Sequence, residues 1–264
     1  MIFETHAHYD DESFDADREE LLEAVHSFGV HPIINVAASI EGTKSTMELA
    51  RSHDYMYAAV GVHPDDIDSL NDAEIDWLRE QAAWEKSVAI GEIGLDYYWH
   101  KEAEVQERQR YWFGRQLDLA RETGLPVIIH SRDAAEDTMK VMRAHHAEEI
   151  PGIIHCYSYS PEMAREFIRM GYHIGVGGVV TFKNAKKLKR TVEEIPIERI
   201  VVETDCPYMA PEPNRGKRND SRNIYYVIRK IAELKGMTPE EVEHITEENA
   251  YRLFARVPRR EDSE

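Results

Sequence analysis

Cysteine is almost absent from this chain. Cys156 and Cys206 are its only two, far too few for the disulfide framework of a small secreted scaffold. Long apolar runs are missing as well. No stretch approaches the roughly 18 apolar residues that a membrane helix needs. The first residues also lack the basic flank and apolar stretch of a secretory leader. The expectation is a cytoplasmic protein that makes no use of a membrane. Positive charge is scarce, with 32 Lys and Arg against 50 Asp and Glu and a net charge of −18. Such a balance argues against a non-specific, whole-surface nucleic-acid binder, though not against a polyanion held at one local cleft. Much of the acid falls in residues 15–23 and 241–248, which read as solvated helix faces and aid solubility. Tight repeats, low-complexity tracts and Pro/Gly linkers are absent, so nothing marks a domain boundary within residues 1–264.

What the chain does have is alternation. Short apolar runs at residues 2–5, 33–36, 57–62, 88–93, 126–129, 152–154, 172–176 and 200–203 read as eight strands. Each is followed by a stretch of helical character, at 14–28, 43–53, 71–84, 104–122, 134–146, 161–170, 183–194, and the pair 222–234 and 239–254. Gly29 and Gly124 suit helix stops, Ser160-Pro161 a helix start, and Thr238-Pro239-Glu240-Glu241 a capping box. Strand and helix repeated eight times imply a parallel sheet with right-handed crossovers. Eight units over roughly 250 residues predict a single-domain α/β fold, a (β/α)8 TIM barrel. No Gly-rich dinucleotide fingerprint follows the first strand, which weakens the open-sheet alternative.

In such barrels the chemistry sits at the C-terminal ends of the strands. Strand one ends in His6-Ala7-His8, with side chains two apart on one face. Strand three ends in Gly61-Val62-His63-Pro64. Strand four carries Gly91-Glu92-Ile93-Gly94-Leu95-Asp96, and strand five ends in His130-Ser131-Arg132. Strand six ends in His155-Cys156 and strand eight in Glu203-Thr204-Asp205-Cys206. Of the 13 histidines, five stand at these ends. His26, His53, His145, His146 and His244 lie in or near helices and read as exposed, and His173 opens strand seven on the opposite face of the barrel.

Imidazoles and carboxylates converging on one rim predict a metal site. The donors suit a borderline divalent ion such as zinc or manganese rather than a thiolate-loving ion or calcium. Six donors exceed the needs of one tetrahedral ion, so two ions are expected, with Glu92 the best bridge. Asp205 is placed to ligate and to accept a proton from water. Cys156 and Cys206 each follow a ligand position, and strand alternation turns them toward packing on the opposite face. Arg132 suits a phosphate oxygen or a surface ion pair.

The motifs His6-Ala7-His8, Gly91-Glu92-Ile93-Gly94-Leu95-Asp96-Tyr97, Ile129-His130-Ser131-Arg132, His155-Cys156-Tyr157-Ser158 and Glu203-Thr204-Asp205-Cys206-Pro207-Tyr208 resemble the TatD family of metal-dependent deoxyribonucleases. The likeness runs from His6 to about Asn219, and it implies an amidohydrolase-like TIM barrel. It also implies one divalent ion (Zn, Mn or Mg) on His6, His8 and Asp205, and a second on His130 and His155, with Glu92 between them. His63 would face the substrate, making Glu92, Asp205 and His63 the catalytic candidates. The implied reaction is hydrolysis of DNA phosphodiesters, often from the 3′ end of single strands, although many members carry only the label of metal-dependent hydrolase.

The segment from Ala210 to Asn219 resembles the family's loop after strand eight. It departs at Asp220-Ser221, where Asn-Glu-Pro is common, and this bears on how the loop meets substrate. Two basic clusters follow strands seven and eight: Lys183, Lys186, Lys187, Lys189 and Arg190, then Arg215, Lys217, Arg218 and Arg222. They read either as solvated faces or as phosphate contacts, with Arg215 and Arg218 the substrate-binding candidates beside Arg132. Tyr97, Tyr98, Trp99, Tyr157 and Tyr208 read either as loop packing or as stacking surfaces for unpaired bases. DNA ends are the expected partner. The rival readings are hydrolysis of a small amide, lactone or phosphoester, and a binding or assembly protein with a residual metal site. The oligomeric state stays open, monomer included.

Overall fold

The computed structural model describes residues 1–259, so residues 260–264 of the expected domain lie outside the described part. Eight strands form one parallel sheet in sequence order: β1 (Ile2–Ala7), β2 (Val30–Val36), β3 (Met56–Val60), β4 (Ser87–Asp96), β5 (Val127–Arg132), β6 (Gly152–Ile154), β7 (His173–Val176) and β8 (Ile200–Val202). A parallel bridge from Ala7 to Cys206 joins β1 to the segment just past β8, and hydrogen bonds from Asp205 N to His6 O (3.0 Å) and from His8 N to Cys206 O (2.8 Å) complete the seam. The expected (β/α)8 barrel is the fold observed.

The helices are α1 (Arg18–Ser27), α2 (Ile40–Ser52), α3 (Asp72–Ala82), α4 (Ala103–Thr123), α5 (Ala135–Ala144), α6 (Pro161–Arg169), α7 (Lys186–Glu194), α8 (Ile224–Lys235) and α9 (Pro239–Leu253). Their starts follow side-chain chemistry. Ser39, Asn71 and Ser160 each accept backbone N–H groups from the first turn that follows, and Thr238 and Glu241 form the expected capping box. Helix α1 begins later than the sequence implies, because Asp11 caps a separate short turn over Glu12–Phe14. Helix α7 begins at Lys186 rather than residue 183.

The apolar residues divide into two buried clusters. One fills the layer between strands and helices. The other takes Phe3, Ile34, Val36, Tyr57, Ala59, Val88, Ile128, Ile153 and Val201 from seven of the strands and joins them to Tyr251 and Leu253 of α9 and to Phe254 just past its end. Phe3 stacks on Phe254 at 5.8 Å and meets Tyr251 edge-on at 5.1 Å. The barrel interior is thus packed and closed by α9 at the strand N-termini, which leaves the opposite end for a cleft. Among the described residues no helix is long and apolar enough to cross a membrane.

Three histidines expected to be exposed are not. His26 stacks on Tyr55 at 4.2 Å, and His53 is half-buried with Nε2 3.2 Å from Glu19. His145 lies over Gly114, where a Cβ would come within 2.3 Å of its ring, and its Nδ1 is 3.0 Å from Asp118. His146 and His244 are exposed as expected.

His173 opens β7 at the closed end. Burial, with Arg199 and Arg252 close by, pushes its imidazole down to about 4. The unfolded side chain takes up its proton near pH 6.5. The folded protein therefore has a stability contribution above that pH that is lost as pH falls toward 4, on the order of 2–3 kcal/mol. Urea unfolding at pH 7 and pH 4.5 should show a smaller acid-induced loss in His173→Gln than in the wild type. Equal losses in the two proteins would contradict this role.

Candidate metal centre

The cleft over the strand C-termini has a volume of about 950 Å³. Glu92 is its hub. It stands in β4 within the register irregularity between Ile90 and Ile93, where the pairing with β5 is not a flat ladder. Its Oε1 lies 2.7 Å from His155 Nε2, 2.9 Å from His130 Nδ1 and 3.8 Å from His63 Nε2. Its Oε2 lies 3.4 Å from His6 Nε2 and 3.7 Å from His8 Nε2. One carboxylate thus spans two sets of imidazoles. Asp205, in the left-handed region at φ 56°, presents Oδ1 3.4 Å from His8 Nε2 and 3.7 Å from His6 Nε2. Side-chain donors converge in three groups: His6, His8 and Asp205; His63, Glu92 and His130; and His6, His155 and Glu203.

Every metal ligand expected from the sequence (His6, His8, Glu92, His130, His155 and Asp205) lies in this cluster, and His63 joins it. The two nitrogens of His6 and His8 approach to 3.0 Å, and the rings of His6 and His155 stack at 4.0 Å. Packing imidazoles so closely around carboxylates at low exposure calls for a cation. Burial works against an ionised Glu92, yet His155, His63 and His6 hold its carboxyl well below the usual range. Burial likewise opposes the imidazolium of His8, but the Asp205 carboxylate outweighs it and raises His8 to about 9. His63 goes the other way, pushed down to about 4 by burial and by His130. The site attracts positive charge, as a divalent ion's ligands must.

Supporting contacts hold the rings of His8 and His130, while Nδ1 of His6 and Nδ1 of His155 are buried without a hydrogen-bond partner. His8 Nδ1 lies 2.7 Å from the carbonyl of Val36, which turns the Nε2 lone pair inward when Nδ1 carries the hydrogen. His130 Nε2 lies 3.0 Å from Asp96 Oδ2. The other oxygen of Asp96 accepts the backbone N–H groups of Tyr98 and Trp99, each at 2.9 Å. Glu203 accepts the N–H of Cys156 at 2.5 Å and lies 3.6 Å from His155 Nδ1, while its Oε2 is buried without a hydrogen bond. Sequence reasoning gave Asp96 and Glu203 no role. Their signal was even spacing from a ligand, Asp96 four after Glu92 and Glu203 two before Asp205. Gly94 is required where β4 crosses β5, since φ is 147° and a Cβ would sit 1.9 Å from the carbonyl of His130.

Other expectations need correction. Cys156 does not turn away from the site but lines it, because its φ of 43° breaks the strand alternation. Burial raises its thiol to about 12, so it is no nucleophile at neutral pH. Cys206 is buried, as expected. Arg132 lines the cleft, whereas Arg215 and Arg218 do not. Arg215 lies over the ring of Phe182 at 4.2 Å. Arg218 makes a two-toothed pair with Asp17 at 2.8 and 2.6 Å and covers Phe14. Of the aromatics, Tyr157 is buried with its hydroxyl on the carbonyl of Ser160, and Tyr97 donates to Asp137. Trp99 and Tyr208 line the cleft and are exposed.

A parallel eight-stranded barrel with imidazoles and carboxylates gathered at its C-terminal rim is the architecture of a TIM-barrel enzyme with a metal centre at its strand ends. The sequence profile described as TatD related DNase matches residues 3–255, and the chain belongs to that family. It is 46% identical to the uncharacterized metal-dependent hydrolase YabD of Bacillus subtilis over 96% of this chain and 99% of that one. It is 35% identical to the uncharacterized metal-dependent hydrolase YcfH of Escherichia coli over 96% of each. The crystal structure of the TatD homolog YjjV from Escherichia coli superimposes with a TM-score of 0.90 at 31% identity, covering 97% of this chain and 98% of that one.

Divalent ions should stabilise the fold. Mn²⁺ or Zn²⁺ added to chelator-treated protein is expected to raise the melting temperature, and Glu92→Ala should abolish the rise. Asp96→Ala should weaken metal affinity by roughly 10–100-fold, as loss of a carboxylate behind a ligating histidine does. Competition with a chromophoric chelator measures this, and unchanged affinity would remove Asp96 from the site's support.

Proposed function

We propose that this protein is a divalent-metal-dependent deoxyribonuclease, with single-stranded DNA ends cut from the 3′ side as the favoured substrate. One observation carries the reading. Glu92 faces His130 and His155 with one oxygen and His6 and His8 with the other, the arrangement a carboxylate between two ions requires. Divalent ions supply Lewis acidity at such a site, acidifying water and offsetting charge on phosphoryl oxygens. His6, His8 and Asp205 would hold one, and His130 and His155 the other.

The chain's own groups do the rest. Asp205 stays ionised, since His8 and the neighbouring imidazoles outweigh its burial, and it accepts the proton of the attacking water. The water oxygen bonds to phosphorus as the bond to the ester oxygen breaks, and the leaving oxygen takes a proton from solvent. His63 is neutral at pH 7, because its pKa lies near 4, and offers a hydrogen bond to the substrate. Arg132 lines the cleft with its guanidinium over the Tyr98 ring and its charge felt by Asp96, and there it meets a phosphate oxygen. The two thiols are free, which supports a reducing, cytoplasmic setting.

A second reading has its own support. The cleft lining holds Arg132 against Asp10, Asp11, Asp65, Glu92, Asp96 and Asp205, an electrostatic balance that suits a small ester or amide. DNA labelled at the 3′ or 5′ end, single-stranded or duplex, separates the two with Mg²⁺, Mn²⁺ or Zn²⁺ and a chelator control. Metal-dependent stepwise shortening is expected, falling by roughly a hundredfold or more in Glu92→Ala and Asp205→Asn. DNA left intact by protein that hydrolyses a small ester or amide would sink the nuclease reading.

A further inference from the structure

Trp99 is the most exposed large apolar side chain described, at 63% of its surface, and yet it lines the metal cleft. The other tryptophans, Trp77, Trp84 and Trp112, are half-buried. A side chain of this size left open to water in a cleft wall has lost the usual reward of burial. It is not loosely held either. Asp96 accepts the N–H groups of both Tyr98 and Trp99 at 2.9 Å, so the loop is clamped to the end of β4. Tyr98 and Trp99 meet edge-on at 4.8 Å. The guanidinium of Arg132 lies 4.0 Å from the centre of the Tyr98 ring and 5.6 Å from that of Trp99. Lys101 Nζ lies 5.6 Å from the centre of the Tyr98 ring.

The result is an ordered shelf of two rings and a guanidinium, of which Trp99 and Arg132 line the cleft. Stacking uses the flat face of Arg132 and leaves its in-plane N–H fork free for an anion. The charge around it matters equally. Apart from Arg132, no Lys or Arg lines the cleft, while six carboxylates do. Beyond the phosphate at the ions, a strand held there finds one basic side chain, so the rest of its affinity must come from another source. Planar bases supply it, because each offers a face to an exposed aromatic ring whatever the sequence.

We propose that Tyr98, Trp99 and Arg132 form a subsite for one unpaired nucleobase next to the bond that is cut. This rests on the nuclease reading and deepens it. It accounts for a preference for single strands and frayed ends, since a base within a duplex presents no free face. It also makes strand binding weakly salt-dependent, with a slope near that of about one phosphate contact.

The test compares kcat/KM for a single strand with one in which an abasic residue replaces the nucleotide on either side of the scissile phosphate. The wild type should prefer the base-bearing strand by roughly tenfold. Trp99→Ala should bring the ratio to about one, and Trp99→Phe should keep most of it. A second readout needs no cleavage. dAMP should quench tryptophan fluorescence in the wild type and not in Trp99→Phe, with ribose 5-phosphate as the base-free control. A wild type that cuts DNA without base preference overturns the subsite, as does quenching that persists in Trp99→Phe or follows ribose 5-phosphate equally. Failure to cut DNA with specific dAMP quenching intact overturns the nuclease reading alone.

Discussion

The burial of one carboxylate governs this molecule. Glu92 is almost inaccessible to water, deep in the only end of the barrel that α9 leaves open. An isolated carboxylate there would carry a desolvation cost of several kcal/mol. Imidazoles from the ends of β1 and β5 and from the segments following β3 and β6 offset it. Their positions are in turn set by the register of a closed sheet. The barrel seam at Ala7 and Cys206 holds His6 and His8 beside Asp205, so the closure of the fold and the assembly of the site are one event.

The arrangement divides labour between the two ends of the barrel. Apolar side chains fill the interior and the closed end, where Phe3 packs on α9, and hydrophobic burial supplies stability there. At the open end like groups crowd together, which costs stability in the absence of a cation. A site of this kind is held in place by the scaffold more than by its own contacts, and pre-organisation is what a hydrolytic centre needs.

Much of this was legible in the sequence. Each of the eight apolar runs became a strand, and every histidine read as standing at a strand C-terminus joined the donor cluster around Glu92, because direction along a parallel strand is enough to place its end. Supporting carboxylates were harder to read. Asp96 and Glu203 look like ligands or like bystanders until the distances to His130 and His155 are known. Alternation misled at Cys156, whose left-handed backbone reverses the facing of its side chain. His145 read as exposed because the space beneath it comes from Gly114, a residue far away in sequence. Arg215 and Arg218 follow a strand on the catalytic rim, yet a long side chain's direction depends on its partners, here Phe182 and Asp17.

Asp96 serves two masters with its two oxygens, one beside His130 and the other holding the backbone of Tyr98 and Trp99. A change at this position therefore cannot be neutral for one task and consequential for the other. An amide in its place could still cap the loop, but it would present an N–H to His130 and demand the other ring tautomer. During divergence from a common ancestor, the grip on the ion and the shape of the adjoining wall are tied together here. Past Trp99, in residues 100–102 before α4, the side chains meet other loop groups, His100 with Asp65 and Lys101 with the carbonyl of Tyr97, so a change there leaves the contact of Asp96 with His130 untouched.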